Sequence, residues 1–376
     1  MTKARRITRT VFLILNIITS VVFLLACLSP HVNPVQYWYI SMLGLAFAVI
    51  IVTELAFIFF WLLFKPVYIF IALVPLIIGW KSLSVFFAVN LPQKFNYEKP
   101  ANVIRIADWN VARFIEWKRN NNKGSQTRMK MIDLIKEQNA DVFTMQEFFT
   151  STDTTYWDNL PYLAKEAGFP YHYFARSGDG DRQWFGNIIF SKHPIVDSGK
   201  FYFPRAAYPE TLLHADIKIG NDTIRVYTTH LQSLKFNKED YESIEMIKKD
   251  QEVALGRTRG IFSKLKRGIT VRHEQADLVR DMINNDPYPI LFTGDFNDVP
   301  NSYAYNTIRG DLLQDAFLEK GLGIGRTFND ISPTLRIDYI LATKDFEVRQ
   351  FNRVLRKLSD HYLVVADVKL KRASSE

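Results

Sequence analysis

Long apolar runs fill the first ninety residues of the chain, whereas short apolar runs alternate with polar segments after residue 100. Three of the long runs, at about 10–30, 38–64 and 66–90, each reach the roughly 20 residues that a helix needs to cross a bilayer. We therefore predict an anchor of three transmembrane helices within residues 1–96, followed by a soluble domain at residues 97–376.

The soluble part alternates strand-like and helix-like periods after a short polar linker at 91–101. Helical spacing predicts helices at about 125–139, 156–168, 234–270 and 271–284. Apolar or alternating runs predict strands at 103–107, 142–145, 171–175, 184–190, 212–219, 223–229, 289–293, 336–341 and 362–370. Many strands with helices at irregular intervals favour an α/β (α+β) sandwich with mixed sheets.

Positive charge is concentrated in the anchor. Residues 1–96 hold seven lysine or arginine residues and one acidic residue, Glu54, so they contribute six of the eight net positive charges. The nearly neutral remainder lacks the broad basic field that drives non-specific nucleic-acid binding, which weakens a nuclease interpretation. The only cysteine, Cys27, lies in the first apolar run, which excludes a disulfide framework and cysteine catalysis in the soluble part.

The flanking charges predict an orientation. The loop at 31–37 has no lysine or arginine, whereas basic residues precede the first run and separate the second from the third: Lys3, Arg5, Arg6, Arg9 and Lys65. This places the N-terminus in the cytoplasm. We expect an integral protein of a bacterial inner membrane with its catalytic domain outside the cytoplasm. Lys81 and Ser82 interrupt the third run, and if that run does not cross, the domain is cytoplasmic. A cleaved signal peptide is the weaker alternative, because two more spans follow.

Five polar motifs lie in the soluble part, each following or interrupting a strand-like run. In chain order they are Asp108-Trp109-Asn110, Gln146-Glu147, Thr229-His230-Leu231, Gly294-Asp295-Phe296-Asn297-Asp298 and Ser359-Asp360-His361. A β-scaffold places such side chains at strand ends, where they converge on one pocket. Carboxylates, amides and histidines without cysteine suggest a hard-metal site that hydrolyses a phosphate ester.

With these motifs in this order, residues of about 100–372 resemble the endonuclease/exonuclease/phosphatase superfamily, which includes deoxyribonuclease I, abasic-site endonucleases, inositol polyphosphate 5-phosphatases and neutral sphingomyelinases. The resemblance implies a four-layer α/β sandwich, with two central β-sheets flanked by helices and the site at one end. Abasic-site endonucleases have an acidic residue two positions after the first-motif asparagine; here it is Ala112, which argues against that subgroup. Residues 229–232, Thr-His-Leu-Gln, look closer to sphingomyelinase-like members.

The resemblance also implies residue roles. Glu147 looks like the carboxylate that holds Mg²⁺, with Asn110 beside it and Asp360 near the metal; Mn²⁺ is the alternative ion. A hard cation there neutralises charge on the phosphoryl oxygens during attack. Asp295 and Asn297 resemble the pair that orients the attacking water and contacts the phosphate.

The histidines complete the implied machinery. His361 resembles the general base or acid, and Asp338 the carboxylate that fixes its tautomer. His230 resembles the histidine that hydrogen-bonds the phosphate and stabilises the leaving oxygen. Taken singly, Asp295 and Asn297 are also ordinary turn residues, and Glu147 could be an ordinary ion-pair partner. The five motifs together favour function.

These observations predict a membrane-anchored, Mg²⁺-dependent phosphoesterase that hydrolyses a phosphodiester or phosphomonoester, with a lipid headgroup or small phosphate ester favoured. Its partners are then the lipid bilayer and a phosphate-ester substrate. The alternative is an extracytoplasmic nuclease with DNA or RNA as substrate. A non-catalytic binding module would be expected to lose Glu147, Asp295 or His361, and all three are present. The basic stretch at 248–267 is either a solvated helix face or a contact for anionic headgroups.

Overall fold

The computed structural model describes residues 3–115, 118, 127–178, 182–204, 210–249 and 255–371. Its α-helices are α1 (Lys3–Cys27), α2 (Trp38–Leu45), α3 (Phe47–Phe64), α4 (Phe70–Ile78), α5 (Trp80–Phe86), α6 (Thr127–Gln138), α7 (Asn159–Glu166), α8 (Lys238–Lys248), α9 (Leu255–Ile283), α10 (Tyr303–Arg309) and α11 (Ala316–Lys320). Its strands are β1 (Ala88–Val89), β2 (Ile104–Asn110), β3 (Val142–Ser151), β4 (Tyr171–Phe174), β5 (Ser177–Gly178), β6 (Gln183–Ser191), β7 (Ile195–Tyr202), β8 (Thr211–Ile219), β9 (Asp222–His230), β10 (Ile290–Asp295), β11 (Leu313–Asp315), β12 (Leu322–Gly323), β13 (Asp338–Thr343), β14 (Phe346–Val354) and β15 (Leu363–Leu370).

Helices α1 to α5 form an apolar bundle. The ring of Phe12 stacks on that of Phe60 at 4.6 Å, and Phe23 stacks on Phe47 at 5.6 Å, so α1 and α3 run antiparallel. By length and composition, α1 and α3 are each able to cross a membrane. A third span exists only if residues 66–78 and 80–86, which meet at a bend of 69°, count as one.

The predictions of single helices at 38–64 and 66–90 are wrong. The first divides at Ala46 into α2 and α3, and the second breaks at Gly79. Pro75 lies inside α4 and has no N–H, which frees the carbonyl of Ile71; the Ser20 hydroxyl on α1 donates to it at 2.9 Å. Because apolar composition does not encode such breaks, hydropathy predicted continuous helices.

Two β-sheets form the centre of the C-terminal part. One has six strands in the order β11-β13-β10-β9-β8-β7, and the other has seven, in the order β14-β15-β2-β3-β6-β4 with β5 also on β6. Strand β10 pairs parallel with β9 and antiparallel with β13, and β2 pairs parallel with β3 and antiparallel with β15. Both sheets are therefore mixed, as predicted.

Three apolar cores join four layers. The central core lies between the sheets and contains Ile106 of the larger sheet and Leu291 of the smaller one. A second core packs α6 and α7 on the outer face of the larger sheet, and a third packs α9 and α10 on the smaller one. Covering both faces explains why strands β2, β10 and β13 are buried at every position. The helix break predicted at 270–271 is wrong, since α9 continues through it as one helix of 29 residues.

The sandwich docks directly on the bundle. Strand β1 pairs with β12, the Asn301 amide donates to the carbonyl of Ala26 at 3.0 Å, and the Arg336 guanidinium donates to that of Val85 at 2.8 Å. The predicted linker at 91–101 is partly a packed segment, because Phe95 is buried in the core beneath α6. The apolar bundle and the sandwich are therefore held together by specific contacts at Asn301 and Arg336.

Candidate active site

The alternation of side chains along the strands brings the motifs to one place. In β2, β9, β10 and β13, side chains alternate between the two faces of the sheet. One residue of each strand that faces the core between the sheets is, in that order, Ile106, Val226, Leu291 and Ile340. Counting along each strand in steps of two puts the motif residues on that same face, at one end of the sandwich: Asn110, His230, Asp295 and Asp338. Strand register aligns three of them, because Asp295 is paired with both His230 and Asp338.

His361 and Asp338 form the central pair of the site. His361 Nδ1 lies 2.9 Å from both carboxylate oxygens of Asp338, and His361 Nε2 lies 3.7 Å from Asp295 Oδ2. Both side chains of the pair are buried. Burial lowers the pKa of His361, but the charges of Asp338 and Asp295 outweigh burial and raise that pKa well above its ordinary value. The pair thus stabilises a proton on His361, which suits this imidazole to proton transfer.

Asp295 Oδ2 is the meeting point of the cluster. Asn110 Nδ2 donates to it at 3.0 Å, and His230 Nε2 lies 3.6 Å away. The ligand atoms of Asp295, Asp338 and His361 lie within 4.8 Å of one another, so this acidic–histidine cluster has the donor types of a metal site. Because His361 already uses Nδ1 to bind Asp338, the arrangement better fits proton transfer at Nε2.

The turn after β10 is shaped by its glycine. Gly294 has φ +140, and a Cβ added there would lie 2.1 Å from the carbonyl oxygen of Thr229, so no other residue fits. The Asn297 backbone N–H donates to Asp295 Oδ1 at 2.8 Å, and the Asn297 amide donates to the carbonyl of Leu231 at 3.1 Å. The structure therefore brings Asn297 to Asp295, with the left-handed φ of +51 that the turn requires.

Glu147 projects from a β-bulge. The register of β3 against β6 shifts between Met145 and Phe148, and Glu147 adopts φ +51. Its side chain is 32% exposed, with its carboxylate 3.9 Å from Arg113 Nε. The bulge, which lies in the middle of β3, thus turns Glu147 out of the alternating pattern and towards solvent, where a cation can reach it.

Asp360 and Glu147 both lie near the Tyr241 hydroxyl. Burial, followed by the negative charges of Asp360, Asp330 and Glu147, raises the pKa of the Tyr241 hydroxyl on α8 to about 12. The Asp360 carboxylate also accepts a hydrogen bond from Ser359 Oγ at 2.9 Å. Helix α8 therefore lies near two of the three predicted metal ligands.

The residues present fit a hard cation and a polar ligand. Asn110 Oδ1 accepts only one hydrogen bond among the described residues, from the Ala112 N–H at 3.1 Å, which leaves a lone pair for a metal beside Glu147. Several buried polar atoms around the site have no hydrogen-bond partner within the described chain: His230 Nδ1, Gln146 Oε1, Asn187 Oδ1 and Asp108 Oδ2. Buried polar atoms in folded proteins are normally satisfied, so water or a ligand is expected to bind at these four atoms.

Sequence reasoning assigned no role to Asp108, which the structure buries behind the site. Its Oδ1 accepts hydrogen bonds from Thr144 Oγ1 at 2.6 Å and from Gln146 Nε2 at 2.7 Å. Burial raises the pKa of Asp108 to about 8, although these two hydrogen bonds lower it. Asp108 lies on the same strand face as Ile104 and Ile106, where a residue is normally apolar. A carboxylate at such a position is the feature of the sequence that marks Asp108 as a candidate site residue.

Comparison with known families agrees with this geometry. The model of the Endonuclease/Exonuclease/phosphatase family matches residues 109–361, and a Domain of unknown function (DUF8431) matches residues 9–86. The chain therefore belongs to the endonuclease/exonuclease/phosphatase family. Members of this family are phosphoester-hydrolysing enzymes that depend on divalent metals. A comparison with curated proteins finds no match.

Solved structures show the same fold. An endonuclease/exonuclease/phosphatase from Beutenbergia cavernae DSM 12333 is 21% identical, with a TM-score of 0.53 over 73% of each chain. One from Bacteroides vulgatus is 19% identical, with a TM-score of 0.50 over 71% of this chain and 99% of that one. The human Nocturnin catalytic domain with bound sulfate anion is 16% identical, with a TM-score of 0.49 over 72% and 94%. The first two confirm the predicted mixed-sheet sandwich.

Proposed function

We propose that this protein is a membrane-anchored, Mg²⁺-dependent phosphoesterase, with a lipid headgroup or small phosphate ester as the favoured substrate. The observation that supports it most is the buried cluster in which His361, paired with Asp338, directs Nε2 towards Asp295 Oδ2. Such a cluster offers a base, a fixed tautomer and an acceptor for water at one point, which are the parts that in-line hydrolysis needs.

The residues take the following roles in the proposed reaction. Asp295 and Asn297 align the attacking water, and His361 accepts its proton while Asp338 stabilises the resulting imidazolium. His230 donates to the phosphate and to the leaving oxygen. Asn110 holds Asp295 in place through its hydrogen bond of 3.0 Å. Each of these contacts strengthens as charge develops, so removal of one is expected to cost on the order of 10² to 10³ in rate.

Glu147, Asn110 and Asp360 are the proposed ligands of the metal, with Mn²⁺ as the alternative to Mg²⁺. When bound, such an ion neutralises charge on the phosphoryl oxygens. The partly exposed carboxylate on the β3 bulge and the available lone pair of Asn110 support this choice. Both are oxygen donors, which hard divalent cations prefer.

We also propose the domain division into 1–96 and 97–376 and an extracytoplasmic catalytic domain. The sandwich contacts the C-terminal end of α1, through Asn301 and Ala26, whereas Arg5, Arg6 and Arg9 lie at the other end of that helix. If α1 crosses a bilayer, the basic N-terminus and the sandwich are therefore on opposite sides. Basic flanks face the cytoplasm, which supports an outward catalytic domain.

Placement of the site supports a membrane-borne substrate. Asn301 follows Asp295 and Asn297 in the loop that docks on the bundle, and Arg336 lies two residues before Asp338. The end of the sandwich that holds the cluster is thus the end that contacts the anchor. A phosphate ester in a lipid headgroup would reach such a site without leaving the bilayer surface. Nucleic-acid hydrolysis is the alternative, and the family includes nucleases.

The full chain, purified in detergent, should be assayed with Mg²⁺ and with EDTA on plasmid DNA, RNA, a sphingomyelin-like lipid, phosphatidylinositol phosphates and a chromogenic bis-ester. We expect EDTA-sensitive cleavage of a lipid or small ester, with DNA intact. The His361→Ala variant should be inactive, and the exposed His172→Ala variant should be normal. Rapid DNA nicking with steep salt dependence would favour the nuclease instead. Absence of Mg²⁺-dependent turnover on the whole panel would contradict the proposal.

A further inference from the structure

The N-terminal half of α9 lies beside the aromatic end of the bundle. Lys266 Nζ is 4.9 Å from the ring centroid of Trp38, the first residue of α2. Trp38 and Tyr37 each meet Tyr39 edge-on, at 6.1 and 6.3 Å. Aromatic residues at the end of an apolar segment mark the membrane–water interface. Helix α9 therefore reaches the depth at which lipid headgroups would lie.

This half of α9 is basic, and most of its charge is not neutralised. Residues 255–273 contain no acidic residue. Two of its cations have internal partners, because Arg272 Nε lies 2.9 Å from Asp298 Oδ2 and Lys264 pairs with Asp240. The other four are exposed, and none forms an ion pair with a carboxylate in the described part of the chain: Arg257, Arg259, Lys266 and Arg267.

An exposed aromatic side chain lies among these cations. Phe262 is 52% exposed, and it shares a helix face with Arg259 and Lys266, which are three residues before and four residues after it. Ile261 and Ile269, by contrast, are buried. The outer face thus combines one large apolar group with basic groups, which is the pattern of helices that lie in the bilayer interface.

We propose that residues 255–267 of α9 bind anionic phospholipids, with the headgroup phosphates on Arg257, Arg259, Lys266 and Arg267 and with Phe262 inserted among the upper acyl chains. The occupant is an anionic bilayer surface, because the cations are unpaired and Lys266 adjoins the aromatic belt at Trp38. The inference rests on the proposed membrane location and adds lipid selectivity to it. Each cation is expected to contribute roughly fivefold to association with anionic lipid.

The test places a polarity-sensitive NBD fluorophore at Phe262→Cys in a Cys27→Ser background of the full chain. The protein is assembled in nanodiscs of phosphatidylcholine, with or without phosphatidylglycerol, and quenching by brominated acyl chains is measured. Val196→Cys is the control labelling site. Val196 is exposed on β7, at the end of the sheet farthest from His230. At position 262 we expect a blue shift of NBD emission and quenching, both of which increase with phosphatidylglycerol and decrease with salt. At position 196 we expect no blue shift and no quenching.

A charge-matched pair of variants isolates the role of the cations. Replacing Arg257, Arg259, Lys266 and Arg267 by glutamine should abolish most of the phosphatidylglycerol-dependent quenching. Replacing four exposed lysines elsewhere by glutamine should leave the phosphatidylglycerol-dependent quenching unchanged; these are Lys130, Lys344, Lys357 and Lys369. A water-like NBD spectrum at position 262 would overturn the proposal. So would quenching that does not change with phosphatidylglycerol, or that neither set of glutamine substitutions changes. Because hydrolysis is not the readout, inactivity on every substrate would affect the proposed function alone.

Discussion

Replacing Asp338 by asparagine tests the central pair of the site with little change in shape. At 2.9 Å and an effective dielectric of about 20, a carboxylate attracts an imidazolium by about 6 kcal/mol. If about half of this attraction develops as His361 takes up its proton, the loss is about 3 kcal/mol, or roughly 10²-fold in kcat. An asparagine amide can also donate to Nδ1 and leave the proton on Nε2, which would increase the loss.

The assay is Mg²⁺-dependent hydrolysis of a chromogenic phosphodiester by the full chain, with Tm measured on the same samples. Asp345→Asn, in the exposed turn between β13 and β14, is the control for removal of one carboxylate and should keep wild-type kcat. We expect Asp338→Asn to lose kcat with KM and Tm nearly unchanged. A kcat within about threefold of wild type would refute the reasoning, because the charge would then contribute under 1 kcal/mol.

Three further perturbations address the turn, the metal and the docking contact. Gly294→Ala should lower unfolding free energy by about 3 kcal/mol or more, since its Cβ would clash with the Thr229 carbonyl at 2.1 Å; chemical denaturation measures it. Glu147→Gln should raise the Mg²⁺ concentration needed for half-maximal activity at least about tenfold, as seen by titration after EDTA treatment. Asn301→Ala loses the hydrogen bond to Ala26, worth about 1 kcal/mol, and should slow hydrolysis of a lipid ester more than that of a soluble one.

Controls and contrary outcomes differ among these variants. Gly256→Ala has open space around its added Cβ and should not destabilise the protein, so equal stability losses would show that the close approach at Gly294 is unimportant. An unchanged Mg²⁺ requirement in Glu147→Gln would remove that residue from the ligand set. For Asn301→Ala, equal effects on soluble and lipid esters would mean that docking does not orient the site towards the bilayer.

The family and the mixed-sheet sandwich were predictable, and both are confirmed. Motif order contains the family signal, and strand periodicity places Asn110, His230 and Asp295 at strand ends. The same periodicity places Asp108 at an inward position of β2, between the sheets. The roles assigned to the site residues all remain predictions, although the structure brings Asn110, His230, Asp338 and His361 close to Asp295.

Local patterns of sequence determined which segments are apolar enough for a membrane, where the strands end and which residue types stand there. Tertiary structure alone decided that Asp295 Oδ2 meets Asn110 and two histidines, because those contacts join residues far apart in the chain. It also decided the break at Gly79 and the approach of Lys266 to Trp38, which depend on how helices pack. Hydropathy and periodicity describe each segment against solvent, whereas these features arise only when one segment becomes the environment of another.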